Sequence, residues 1–242
     1  MTTRTLFVAG ATGAIGARLT PLLVARGHRV FGLTRFPDKR AALWAQGAVP
    51  LVGDVYDTAH VTALMRATRP DAVIHMLTDL PPNMEPSLMA DAIPRNARIR
   101  REGTASLIAA AREAGVEYMV AESIAWVYAP GARPYTEESP LDLNAEGSRG
   151  ISIGGAVALE QAVLNTPALN GAVLRFGQLY GPGTHSKDAT GKTVPLHVDS
   201  AALATLLAVE AKRPGLFNIV EPNEEVAADK AQRELGWNPV RA

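Results

Sequence analysis

Cysteine is absent from all 242 residues. That excludes disulfides, thiolate metal sites and a cysteine nucleophile, and it fits a reducing compartment. Net charge is absent as well: 24 Lys and Arg balance 24 Asp and Glu. No global field therefore draws the chain to nucleic acid or to an anionic membrane, and aromatics at 5% add little to a nucleic-acid reading. No apolar run is long enough to cross a bilayer, and no leader-like stretch precedes the first apolar run at residue 6. A soluble cytoplasmic protein with no membrane or nucleic-acid partner is the expectation. No grouping of His, Asp and Glu has metal-ligand spacing, so no metal is expected. What remains is an ordinary globular composition, 47% apolar and 20% charged. The length suits one sizeable α/β domain.

The most informative stretch is Gly10-Ala11-Thr12-Gly13-Ala14-Ile15-Gly16, after the apolar run Leu6-Phe7-Val8-Ala9. Behind it, Ala17-Arg18-Leu19 and Leu22-Leu23-Val24 read as the apolar face of a helix. Strand, glycine turn and helix in that order are what a nucleotide pyrophosphate needs. Gly10 allows the tight turn, Gly13 lets the backbone approach the phosphates, and Gly16 lets helix and strand pack closely. The helix N-terminus adds free N–H groups and a partial positive charge.

Short apolar runs alternate with longer helical patterns along the rest of the chain. Strands are expected at 5–9, 29–33, 49–52, 72–76, 118–121, 172–175 and 216–219. Helices are expected at 15–26, 39–46, 58–67, 90–114, 151–164, 200–211 and 226–235. This predicts a Rossmann-type, doubly wound α/β fold with a mostly parallel seven-stranded sheet. Residues 1–242 form a single domain in this reading. A small substrate lobe is built from about 129–150, 177–198 and 221–242 over the carboxyl edge of the sheet, where such sheets bind ligands.

The shared order of several motifs resembles the short-chain dehydrogenase/reductase superfamily, in its extended, NAD-dependent epimerase/dehydratase-like branch. The motifs are the glycine turn, Gly53-Asp54, Val73-Ile74-His75-Met76, Gly103-Thr104 before an alanine-rich helix, and Ser123 through Tyr128. Leu174-Arg175-Phe176-Gly177, Leu179-Tyr180-Gly181-Pro182-Gly183, His197-Val198-Asp199 and Leu235-Gly236-Trp237 follow. The resemblance implies a bound dinucleotide cradled by Gly10, Thr12, Gly13, Ala14, Ile15 and Gly16. It further implies that Asp54 and Val55 flank the adenine, that Met76 and Leu77 line the channel beneath the cofactor, and that Tyr180 packs beside it. Thr34 and Arg35 follow the second strand where NAD-preferring relatives carry an acid. A guanidinium there would receive a 2′-phosphate, so NADP is expected over NAD; the plainer reading of Arg35 is a solvated loop arginine.

One departure matters most. Redox members of this superfamily use a tyrosine and a lysine four residues apart, the lysine lowering the phenol's pKa for proton exchange. Register taken from Glu160 puts Ser152 at the tyrosine position and Ala156 at the lysine position. Arg100 replaces the usual asparagine, and Ile124 takes the usual serine position, with Ser123 one residue early. The standard proton relay is missing. Ser123, as a hydroxyl donor or a backbone cap, and Tyr128, as a phenol or a packing residue, are the candidate catalytic groups. Tyr135, His185, Lys187, His197, Glu137 and Glu138 are further polar groups on or near the edge loops, the last two and Lys187 most simply read as solvated charges. The small face Gly154, Gly155, Ala156 and Ala158 suits close helix approach, as in the four-helix dimer interfaces of extended members, and predicts a homodimer.

Three functions follow. The first is an NAD(P)-dependent oxidoreductase or epimerase/dehydratase-like enzyme acting on a small carbonyl or hydroxyl substrate without the Tyr/Lys pair. The others are a non-catalytic NADP-binding redox sensor or regulator, and a non-redox isomerase holding the cofactor as structure. The short segment 182–197 offers few contacts to a bulky nucleotide-sugar, which favours a small substrate.

Overall fold

The computed structural model describes residues 2–240; positions 1, 241 and 242 of the expected domain and lobe lie outside the described residues. Seven strands form one parallel sheet: β1 (Thr5–Ala9), β2 (Arg29–Thr34), β3 (Val49–Val52), β4 (Ala72–His75), β5 (Tyr118–Ile124), β6 (Asn170–Phe176) and β9 (Gly215–Ile219). Their spatial order is β3-β2-β1-β4-β5-β6-β9. The order reverses between β1 and β4, and the crevice at such a switch point is where open α/β sheets take their ligands. The short strands β7 (Gln178–Tyr180) and β8 (Pro195–His197) pair separately.

Both faces of the sheet are covered. Helices α1 (Ala14–Ala25), α2 (Arg40–Ala45), α7 (Val198–Ala211) and α8 (Asp229–Leu235) close one apolar cluster, with Leu6, Val8, Ile74, Val120 and Leu174 pointing into it. Helices α3 (Thr58–Thr68), α5 (Thr104–Glu113) and α6 (Gly147–Asn165) close the other, over Phe7, Val73, Met119 and Val173. The alternation of neighbouring strand residues between the two clusters is the period-two consequence of a pleated strand. Helix α4 (Met89–Arg98) packs on α6. That packing is close: a β-carbon on Gly155 would lie 2.8 Å from the Ala97 Cα.

The expected strands and helices all exist, with four corrections. The helix expected at 90–114 is two helices joined by a π-helical turn, Ile99–Gly103. The Thr104 hydroxyl there bonds the Arg100 carbonyl at 2.5 Å, and Arg100 and Gly103 turn inward. Helix α6 begins four residues earlier than expected, because Gly147 at φ +58 and Gly150 form its first turn rather than a loop. Helix α8 begins at Asp229, not 226, because Val226 is extended and bridged to Tyr135. Residues 178–180 and 195–197, in the expected lobe segment 177–198 and outside the expected strands, form the β7–β8 pair. The small face of α6 also works inside the chain. Gly155 is spent on α4, and Ala156 lies in the core at 0% exposure.

Candidate functional site

The glycine turn has the form its spacing predicts. Gly10 sits at φ +93, and a β-carbon there would fall 2.3 Å from the Met76 carbonyl oxygen. Gly16 is equally constrained, since its β-carbon would meet the Gly10 carbonyl at 2.1 Å. Gly13 differs: it caps α1, its N–H bonds Gly10 O at 3.0 Å, and only that oxygen, at 3.3 Å, approaches its β position. Two glycines are small because protein fills the space, and Gly13 is small while exposed at the helix mouth. That is the cradle a pyrophosphate requires, so these residues fit a dinucleotide. Thr12 and Ala14 are half-buried beside it, and Ile15 is buried under α1.

At the end of β2, Thr34 is buried and its hydroxyl accepts the Phe36 N–H at 3.2 Å. Arg35 projects outward over the Phe36 ring and faces Asp79 at 3.5 Å. Asp79 also faces Arg95 at 3.6 Å, and its own N–H bonds the buried Asn96 side chain at 2.9 Å. Asp54 is exposed and caps the Tyr56 N–H, while Val55 is buried against Gly103. Met76 is buried and half-buried Leu77 donates its N–H to His75 Nδ1 at 3.2 Å. That contact fixes the proton on His75 Nε2, which faces the Thr104 hydroxyl at 3.0 Å. Burial, with the nearby Arg100 charge adding to it, pushes the His75 pKa down to about 3.

Ser123 and Tyr128 meet in one buried network. The Ser123 hydroxyl donates to Glu160 Oε1 at 2.6 Å. Arg175 grips both Glu160 oxygens, at 2.8 and 2.6 Å, and donates a third bond to the Tyr128 hydroxyl at 3.0 Å. Tyr128 in turn donates to Asn218 Oδ1 at 2.5 Å, and the Asn218 N–H reaches Glu137 at 2.7 Å. Burial holds the Tyr128 phenol above its usual pKa despite the Arg175 charge. Glu137 is thus a backbone cap on β9 rather than a solvated charge. Tyr135 stacks on Tyr128 with centroids 5.1 Å apart. The network stitches β5, α6, β6, β9 and the edge loop together.

Of the positions expected to hold the family relay, 124 and 156 are apolar and packed. Ile124 and Ala156 belong to one core cluster with Met76 and Tyr128, at 5% and 0% exposure. Ser152 is half-buried on α6. Tyr180 donates to Glu221 at 2.9 Å, Glu221 also accepts the His197 N–H at 2.8 Å, and the two rings meet edge to face. His197 orients backbone here, its Nδ1 accepting the Asp199 N–H. His185, Lys187 and Glu138 are exposed and lie apart from the Ser123 network.

Sequence reasoning missed two charges. Arg100, noted only as a replacement, is buried in the π turn at 4% exposure, and its Nε has no hydrogen-bond partner among the described residues. Glu122 on β5 lies deep but partly open, and burial raises its carboxyl to about 7 while Arg100 pulls the other way. A carboxylate inside an otherwise apolar strand was the signal available. Two open grooves of about 390 and 570 Å³ lie on the helical layer, the first lined by Tyr56, Arg98 and Glu102, the second by Pro94, Arg101 and Ile151. Neither includes the glycine turn or the Ser123 network, and among the described residues no His, Asp and Glu group could hold a metal ion. No helix of the described residues is long and apolar enough to cross a membrane.

Comparison with known proteins agrees with this architecture. The chain is 37% identical to a 3-diazoavenalumate denitrifying reductase from a Streptomyces species, over 98% of this chain and 83% of that protein. A UDP-glucose-4-epimerase from Stenotrophomonas maltophila, solved with bound NAD and formylated UDP-arabinopyranose, superposes with a TM-score of 0.79. The two are 18% identical, over 99% of this chain and 94% of the other. A dTDP-glucose 4,6-dehydratase from Streptomyces venezuelae, also with NAD bound, gives a TM-score of 0.79 at 20% identity, over 98% of this chain and 92% of that one. The sequence model of one family spans residues 6–217. By that match and by its 37% identical relative, the chain belongs to the NAD dependent epimerase/dehydratase family.

Proposed function

We propose that this chain is an NADP-dependent reductase of a small electrophilic substrate, a carbonyl compound in the first instance, working without the Tyr/Lys pair. The observation that carries this reading is the intact glycine cradle beside a relay replaced by packed Ile124 and Ala156. Binding of the dinucleotide is kept; the usual way of moving a proton is not. The reductase relative points the same way, and its name adds diazo compounds to the substrates worth offering. When bound, the reduced dinucleotide supplies hydride; the chain supplies orientation, polarisation and exclusion of water.

Gly13 and the α1 N-terminus hold the pyrophosphate, with Gly10 and Gly16 keeping the turn and helix close enough to do so. Thr34 and Arg35 receive the adenosine ribose end, Asp54 and Val55 the adenine, and Met76, Leu77 and Tyr180 line the remainder. For a 2′-phosphate to bind Arg35, it must draw that guanidinium away from Asp79. Ser123 and Tyr128 act by holding the carboxyl-edge loop, since both hydroxyls are already paired. Those paired hydroxyls also favour a second reading, a non-catalytic NADP sensor.

The test is a fluorescence titration with NADPH, NADP⁺, NADH and NAD⁺, followed by turnover assays on aldehydes, ketones and an aryl diazo compound. Tight NADPH binding with turnover supports the reductase. Equal binding of NADPH and NADP⁺ with no turnover removes both readings, because equal affinity cannot shift a conformational equilibrium.

A further inference from the structure

Arg100 is a buried cation that the Ser123 network does not absorb. It is 4% exposed in the π turn, its Nε has no hydrogen-bond partner, and its side chain makes no ion pair among the described residues. The carboxylates on the elements around it are spent or turned away. Asp79 faces Arg35 and Arg95, and Glu160 is gripped by Arg175. Glu122 shares a pleat face with Val120 and Ile124, in the apolar cluster under α1, whereas the π turn lies on the opposite side of the sheet with Ile99. His75, which the Thr104 hydroxyl links to the π turn, is neutral. Buried charges are paired or hydrogen-bonded as a rule, so an unpartnered guanidinium calls for an anion from outside the chain.

Contacts on either side of Arg100 give its location. Thr104, four residues later, bonds the Arg100 carbonyl at 2.5 Å and meets His75 Nε2, at the end of β4, at 3.0 Å. Asn96, four residues earlier and itself buried, accepts the Asp79 N–H at 2.9 Å. Positions 96, 100 and 104 follow one helical face, and the Thr104 bond keeps the last two in line across the π turn. Arg100 therefore stands between the two contacts, opposite Met76, Leu77 and Thr78, where the chain leaves β4 at the carboxyl edge. Gly10 rests on the Met76 carbonyl from the other side. Helices α1 and α5 close opposite faces of the sheet, so the glycine turn borders this crevice on one face and Arg100 on the other. The phosphates have their donors at the α1 mouth, and Arg35 marks the adenosine end over β2. The half of a dinucleotide that runs over β4 carries no negative charge beyond the phosphates. An anion beside Arg100 is then the substrate's.

We propose that Arg100 anchors a carboxylate of the substrate, which makes the substrate class a small carbonyl compound carrying an acid group. This rests on the NADP-dependent reductase reading above and narrows it. A guanidinium offers a planar fork that takes both oxygens of a carboxylate, and it keeps its charge across the neutral range. One cation matches one carboxylate. A phosphate dianion would need a second, and Arg35 and Arg95 are tied to Asp79. Holding the acid end at one fixed point limits how the carbonyl end can lie, and that orientation is what the chain supplies where the usual relay is missing. Arg100 is thus a specificity residue and moves no proton.

The experiment uses the full-length protein and two matched pairs of small molecules. Reduction of 4-oxobutanoate is compared with that of butanal. Binding of butanoate is compared with that of butanamide by ligand-observed NMR, with NADP⁺ and without it. Wild type should reduce the acid aldehyde with kcat/KM about 10- to 100-fold above the neutral one, the range of one charge-assisted pair, and the gap should sit in KM. Arg100→Met should erase the gap and the binding of butanoate while NADPH affinity holds, and Arg100→Lys should bring part of the gap back. Should Arg100→Met fail to fold, the wild-type gap and its narrowing in Arg100→Lys decide. Equal kcat/KM for the two aldehydes in wild type overturns the inference and leaves the reductase reading standing. NADPH binding weakened tenfold in Arg100→Met overturns it as well, because Arg100 would then serve the dinucleotide. Turnover of neither aldehyde, with butanoate still bound through Arg100, overturns the reductase reading and keeps the anion site; loss of turnover and butanoate binding together overturns both.

Discussion

Among the described residues two arginines are buried, and they are buried in opposite ways. Arg175 on β6, at 2% exposure, has its guanidinium filled: two bonds to Glu160 and one to Tyr128. Arg100, in the π turn, is almost as deep and has an Nε with no partner among the described residues. The first follows the rule that a buried charge is paired and hydrogen-bonded. The second breaks it. A network with every member satisfied holds a loop in place, whereas a lone cation costs stability and is retained where a charge is needed. The difference separates an arginine that holds the scaffold together from one that the scaffold leaves unpartnered.

The most direct way to break the comparison is to remove the paired arginine. Arg175→Met strands the Glu160 carboxylate, and we expect a loss of about 3–5 kcal/mol. For a chain of this size that is a fall in thermal midpoint on the order of 10 °C, read by calorimetry. Arg100→Met should do the opposite, leaving the midpoint unchanged or raising it, because no bond is lost and a desolvated charge is removed. A fall comparable to that of Arg175→Met would erase the contrast.

The pH dependence of stability sharpens it further. Glu122 has a folded pKa of about 7 against an ordinary 4.5. The folded state therefore holds a proton that the unfolded chain has released, and stability is lost as pH rises between those values. His75 has a folded pKa of about 3 against 6.5. Its contribution runs the other way, with stability lost as pH falls through that window. Denaturant midpoints measured from pH 4 to 8 should show Glu122→Gln losing the decline on the alkaline side. A curve superimposable on wild type would rule out a buried acid there.

The smallest expected effect concerns a third arginine, exposed Arg35, which faces Asp79 at 3.5 Å. Asp79→Asn frees it, and NADPH should bind severalfold tighter while NADH is unaffected, the scale of a partly exposed ion pair. Weaker NADH binding would instead make Asp79 the acceptor of the ribose hydroxyls.

Much of this was legible in residue order. The seven sheet strands follow from apolar runs, because a strand buried on both faces leaves little room for polar residues, and the glycine turn follows from backbone crowding at Gly10 and Gly16. Glu160 sets the α6 register in which Ser152 and Ala156 are read against the family relay, and the structure puts Ala156 in the core. The structural partner of Glu160 was not legible: nothing local to Glu160 says that Arg175, fifteen residues on, will close on it. Glu122 hid for a related reason. The expected strand stops at residue 121, which leaves Glu122 as a loop carboxylate, whereas β5 runs on to Ile124 and carries it within the sheet. Glu137, read as a solvated charge, is fixed by a β9 amide eighty-one residues away.

That π turn has a consequence for chain length. A π-helical turn holds one residue more than the α-helical turn it interrupts. Deleting a single residue from Ile99–Gly103 would let α4 and α5 run together as one continuous helix. Relative to α5, the whole of α4 would swing by about 100°, the rotation per residue of an α-helix. Asn96 would leave the Asp79 amide, and Ala97 would leave Gly155. The placement of the Arg100 cation is thus written in the number of residues as much as in their identity.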